Sequence, residues 1–208
     1  MKIRLIIVFL LITNIKNFAQ SVEMYVGDKR FGVDIMWFKN FKNNQKENTP
    51  FLFFSRNRAN TDYHNAPTAF GSTNAVSYNF NNGIGVVAVA SFVNSGFTPK
   101  AGIQYAKSKG DFMFFGWLVA DLKKEGNTDL FGLFRYQPKI NENWKLFSQV
   151  EVFPVYHFKN EYWNITERVR LGVQKNKTAF GAMFDFNQSG KDHFNTTENT
   201  GVFVRHDF

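Results

Sequence analysis

Apolar and polar positions alternate with a period of two along much of the chain. In residues 144–158, WKLFSQVEVFPVYHF, Leu146, Val150, Val152 and Tyr156 share one side, opposite Gln149, Glu151 and His157. In 162–173, YWNITERVRLGV, Ile165, Val169, Leu171 and Val173 oppose Thr166, Arg168 and Arg170. In 177–186, KTAFGAMFDF, Phe180, Phe184 and Phe186 oppose Ala179, Gly181 and Asp185. Side chains of an extended chain point alternately to its two faces, so this period marks strands with one apolar face. Turn clusters such as Asn81-Asn82-Gly83, Lys109-Gly110-Asp111, Glu125-Gly126-Asn127 and Gln188-Ser189-Gly190 punctuate the pattern. Between them the chain predicts extended segments at 22–27, 31–41, 51–59, 73–80, 84–94, 99–107, 111–122, 129–138, 144–157, 162–174, 178–187 and 200–208. Helix-period segments are absent, and no Pro- or Ser-rich linker divides the chain, so one all-β domain is expected.

Two architectures fit such a chain, a β-sandwich and a transmembrane antiparallel up-and-down β-barrel. The segment DFMFFGWLVADL, apolar on both sides, favours a buried sandwich strand. Segment length favours the barrel, because spanning strands need about 9–11 residues and ordinary strands about five or six. Aromatics near segment ends (Trp37, Tyr78, Tyr136, Trp144, Tyr156 and Trp163) suit the two girdles of a barrel and equally a sandwich rim.

Composition changes the picture in one respect. Lys2 and Arg4 precede the apolar run Leu5–Ile12, and Ala19 offers a small residue for cleavage, which is the layout of an export signal over 1–19, with the folded domain over 20–208. Loss of Lys2, Arg4 and Lys16 lowers the formal charge from +8 to +5, so much of the apparent basicity needs no nucleic-acid explanation. The chain has no cysteine, hence neither disulfides nor thiolate metal ligands. Phe, at 26 residues, together with Val, Ile, Tyr and Trp favours strands.

The chain ends in VFVRHDF, with Val202, Val204 and Phe208 on one side of an extended segment and Phe208 as the last residue. This resembles the terminal strand of Gram-negative outer-membrane β-barrels, which characteristically ends in an aromatic. The resemblance implies that Val202, Val204 and Phe208 face lipid and carry the signal read by the barrel-insertion machinery. His206 departs mildly from a wholly apolar outward face. More loosely, the body of the chain resembles uncharacterised barrel proteins of the Bacteroidetes, a likeness that supplies no activity.

Bacterial barrels have an even number of strands and periplasmic termini. Counting back from Phe208 gives twelve strands, the short segment 22–27 being the weakest, with ten as the alternative. Residues 60–72 and 188–199, rich in Asn and Thr, are then expected as extracellular loops. If Phe, Val and Leu face lipid, the opposite faces present Asp34, Arg56, Arg58, Arg135, Gln149, Glu151, Arg168, Arg170, Asp185, Arg205 and Asp207. Arginine exceeds carboxylate in this set, which predicts an electropositive, narrow pore for small polar or anionic solutes. The plainer expectation is that Arg135, Glu151 and Arg168 pair across the wall. Phe38, Met113 and Phe115 are candidates to point inward and plug the tube, and Glu167 falls awkwardly on the lipid side.

No catalytic site is expected. His64, His157, His193 and His206 sit in no nucleophile motif, and Ser95 and Ser189 near the outer rim make only a weak hydrolase constellation. His193 with Asp192 lacks metal-ligand spacing, and no cofactor motif appears. The expected partners are outer-membrane lipid, the insertion machinery and small solutes, with no nucleic acid. The expected state is a monomer, and a non-conducting structural or adhesive barrel is the alternative.

Overall fold

The computed structural model describes residues 19–64, 68–123 and 126–208; the export signal, Ala19 apart, lies outside the described residues. Twelve strands follow in chain order: β1 (Ala19–Gly27), β2 (Arg30–Lys42), β3 (Asn48–Asp62), β4 (Ala69–Asn79), β5 (Ile84–Val93), β6 (Gly96–Lys109), β7 (Phe112–Asp121), β8 (Asn127–Tyr136), β9 (Trp144–His157), β10 (Tyr162–Lys175), β11 (Thr178–Gly190) and β12 (Phe194–Asp207). Each pairs antiparallel with the next. β1 closes on β12, with Tyr25 opposite Phe203 and Met24 opposite Val204. The result is a closed up-and-down barrel, which leaves no unpaired sheet edge. The first segment is a full member of it, paired on both sides.

Alternation sorts the side chains. On β1 and β12, Met24, Val26, Val202 and Val204 are exposed on the outer wall, while Tyr25, Phe203 and Arg205 are buried inside. Aromatics gather in two outward belts. At the end carrying the C-terminus, Phe51 packs on Tyr78, Phe112 stacks on Tyr136 with centroids 4.2 Å apart, and Trp144 meets Phe180 edge-on. At the far end Phe31 stacks on Tyr63, Phe92 meets Phe97, and Tyr156 packs on Trp163. Between the belts the outer wall exposes residues such as Val86, Ile103, Leu118, Leu130, Val150 and Leu171. An apolar band bounded by aromatic girdles is the surface a transmembrane barrel presents to lipid.

β7 shows why DFMFFGWLVADL reads as apolar on both sides. Phe114 and Leu118 face outward, while Phe115, Trp117 and Val119 are buried inside the barrel. One face meets lipid and the other a hydrophobic interior, so no alternation survives.

The expected loops at 60–72 and 188–199 are mostly wall. β3 continues to Asp62 and β4 begins at Ala69; β11 reaches Gly190 and β12 begins at Phe194. Where a barrel wall rises beyond the lipid, both faces meet polar surroundings. The hydrogen-bond ladder continues there but the apolar alternation that reveals a strand does not. The strand ladder slips once on β2, between Asn40 and Lys42. β10 runs unslipped, which leaves Glu167 on the outer face between Val152 and Phe186. Gly172 and Gly181 face each other across β10 and β11, where a Cβ on Gly172 would stand 2.1 Å from the Phe180 carbonyl oxygen.

Candidate functional site

The interior is divided lengthwise into an ionic half and an aromatic half. The ionic half is a ladder of alternating charge. Arg56 Nη2 donates to Asp34 at 2.5 Å and to Glu151 at 2.9 Å, and Arg58 also pairs with Asp34. Arg168 bridges Glu151 and Asp185 at 3.6 and 3.9 Å. Arg170 then joins Asp185 at 2.6 Å to Glu23 at 2.8 Å. Arg56, Arg58, Arg168 and Arg170 are balanced by Glu23, Asp34, Glu151 and Asp185, so the ladder is neutral. Charges taken out of water survive only when paired in this way. Rings complete the desolvation: Arg56 lies 5.7 Å from the Phe131 centroid and Arg170 5.6 Å from that of Tyr25.

The aromatic half comes from β2, β3, β7 and β8. Phe54, Phe115, Trp117, Phe131 and Leu133 are buried together with Met36 and Leu52. Phe38 and Met113 pack against this cluster. Phe38 meets Phe54 and Phe115 with centroids 4.9 Å away in each case.

A cavity opens on either side of this packed waist. The far cavity, of about 430 Å³, is lined by Phe54, Arg56, Arg58, Asn60, Lys100, Phe131, His157, Thr166 and Arg168 among others. The cavity on the side of the C-terminus, of about 670 Å³, is lined by Phe38, Asn40, Met113, Phe115, Arg135, Arg205 and Asp207 among others. Phe54 borders one and Phe115 the other, and the two rings stack at 5.0 Å between centroids. That stack is the partition.

The walls of both cavities carry cations. In the far cavity the side chains of Arg56, Arg58 and Arg168 are 11, 14 and 17% exposed, whereas Asp34, Glu151 and Asp185 are 6, 3 and 6% exposed. A solute there meets guanidinium before carboxylate. Lys100 reaches down to Asp121 at 3.0 Å and to Asp129. In the opposite cavity Arg135 and Arg205 both donate to Gln149 Oε1, at 2.8 and 3.4 Å. Arg205 pairs with Asp207, while Arg135 Nη2 is buried with no hydrogen-bond acceptor among the described residues.

The residues singled out from the sequence, Arg56, Arg58, Arg135, Gln149, Glu151, Arg168, Arg170, Asp185 and Arg205, all project inward, and most join one network. The expected excess of arginine does not extend to the ladder, because Glu23 completes its balance. Glu23 stands between Val22 and Met24, so the alternation of β1 already turns it inward. Lys100, Asp121 and Asp129 also belong to the interior, and sequence reasoning passed over them. Phe54 lay hidden in FLFFSR, where three of the first four residues are Phe and no face stands out.

Val202, Val204 and Phe208 are exposed. His206, beside them, bonds Thr178 at 2.9 Å. His157 is held by Asn164 at 2.9 Å. Among the described residues no group of three or more His, Asp or Glu is placed to hold a metal ion.

No known family matches the sequence, and no curated protein does. Solved structures resemble the fold. The NanC porin aligns with a TM-score of 0.53 at 13% identity, covering 91% of this chain and 100% of that one. The KdgM porin aligns with a TM-score of 0.48 at 13% identity, covering 91% and 98%. At such identity the likeness is one of fold: this chain is a transmembrane barrel of the kind outer-membrane porins adopt.

Proposed function

We propose that this protein is an outer-membrane barrel, exported by its leader, that admits small polar or anionic solutes through a lumen closed at the waist in the conformation described. Its termini face the periplasm, so the Arg56/Arg58/Arg168 cavity opens to the outside and the Arg135/Arg205 cavity to the periplasm. Val202, Val204 and Phe208 serve the insertion machinery. The observation that carries the reading is the accessibility order in the outer cavity, where guanidinium groups stand in front of the carboxylates that neutralise them. Such a lining favours an entering anion without leaving a buried charge unpaired when the site is empty. The structural neighbour NanC is called a porin, which supports the class.

The buried waist favours a second reading, a non-conducting barrel whose packed centre is permanent; Leu133 has no exposed surface, and Phe54 and Phe115 are 1% exposed. Solute uptake separates the two. Proteoliposomes carrying the folded chain should swell in small neutral and anionic solutes, and more slowly in cations of equal size. No swelling beyond empty liposomes sinks the pore reading, and faster uptake of cations sinks the anion preference.

A further inference from the structure

The outer wall carries an uncharged polar patch where lipid is expected. On β3 and β4 the outward positions between the two belts include Ser55, Asn57, Ser72 and Asn74, with Ser55 opposite Asn74 and Asn57 opposite Ser72, next to the apolar pair Phe53 and Val76. Along β3 they lie between Phe51 of one belt and Thr61, which pairs with Phe31 of the other. Elsewhere the band at this depth is largely Val, Leu, Ile and Phe, with Glu167 as an isolated exception.

The patch is internally bonded but open at its edge. Asn57 Nδ2 donates to Ser55 Oγ at 3.2 Å, and Ser55 Oγ donates to Asn74 Oδ1 at 2.9 Å. Asn74 Nδ2 donates to Ser72 Oγ at 3.2 Å. Asn57 is exposed, and its Oδ1 and second N–H have no partner among the described residues. In hydrocarbon no water supplies one. The surroundings are mixed: Ala59 follows Asn57 by two positions, Ala90 pairs with Asn74 and Ala88 lies beside it on β5, while Ile35 and Trp37 of β2 pair with Asn57 and Ser55, and Phe92 of β5 pairs with Ser72.

We infer that this face is where two copies of the chain associate side by side in the membrane. The free carboxamide of Asn57 offers one donor and one acceptor, a set complementary to itself. A two-fold axis along the membrane normal sets it against the same group of a second copy. Two barrels inserted in the same sense hold their patches at the same depth, where the larger neighbours Ile35, Phe70 and Phe92 add apolar contact around the polar centre. The absence of charge leaves nothing for a charged partner to recognise. The inference rests on the transmembrane fold and not on what passes through the lumen, and it replaces the monomer expected from the sequence.

The chain has no cysteine, so single cysteines report proximity without background. Ala59→Cys in proteoliposomes, treated with a short bis-maleimide, should give a cross-linked dimer. Ala182→Cys, outward on β11 opposite Leu171 and Val202, should stay monomeric. Adding Asn57→Leu and Asn74→Leu to Ala59→Cys should remove the dimer band, while heat-modifiable migration confirms that the barrel still folds. No dimer at Ala59, equal dimer at both positions, or a band unaffected by the leucines overturns the inference. An adduct with a different protein in native membranes, with the purified chain monomeric, overturns it too and assigns the face to that protein.

Discussion

Phe54→Ala combined with Phe115→Ala should convert a lumen closed at the waist into one that conducts steadily. The stacked pair is where the two cavities come closest, and truncating both rings removes the partition rather than widening one side. The cost is stability. A buried Phe→Ala change typically loses about 3–5 kcal/mol, and because the rings touch each other, the double variant should lose less than the two single losses combined. Single-channel recording in planar bilayers reads the first effect, and urea unfolding in lipid vesicles reads the second. A double variant that folds, inserts and conducts no more than its parent would mean that the ionic half alone seals the waist.

The second large effect belongs to Glu151. Its carboxylate, 3% exposed, serves Arg56, Arg58 and Arg168 and accepts from Gln149 at 2.7 Å. Glu151→Ala leaves the guanidiniums of the ladder with fewer carboxylates than they need, and removing one partner of a buried pair typically costs about 3–5 kcal/mol. The unfolding midpoint should fall accordingly. The same change uncovers positive charge at the floor of the outer cavity, so anion preference should rise as stability falls. A stability loss below about 1 kcal/mol, the range of exposed ion pairs, would contradict the view that the ladder is a buried, mutually dependent unit.

What could be read in advance divides along physical lines. The facing of β9 to β12 was legible because one side of each strand meets lipid and the other carries charge, as with Val169 and Leu171 against Arg168 and Arg170. The inward turn of Arg56 and Arg58 followed from the cost of arginine in lipid. That same turn placed Ser55 and Asn57 outward, a consequence visible in RNR but without meaning until Ser72 and Asn74 were seen beside them. The partition was legible only in part: Phe115, with Phe38 and Met113 beside it, stood out as an inward plug, but its partner Phe54 did not. In FLFFSR and DFMFFGWLVADL both faces are apolar for different reasons, lipid on one side and a packed interior on the other, and composition does not distinguish them. The wall beyond the lipid was lost for the converse reason, since around Asn60 and Thr197 both faces are polar. Pairing across the ladder joins Arg56 of β3 to Glu151 of β9 and Arg170 of β10 to Glu23 of β1, contacts across the lumen that no local spacing encodes.

The central claim is a narrow pore, shut at the waist, whose accessible charge is guanidinium. Single-channel recording of the unaltered mature chain in a planar bilayer, with reversal potentials in a salt gradient, tests it most directly. The expected result is small, intermittent openings with a reversal potential on the anion side. Large, steady, cation-selective openings would contradict both the closed waist and the lining; an inserted barrel that stays silent even when Phe54 and Phe115 are both alanine would contradict the pore itself.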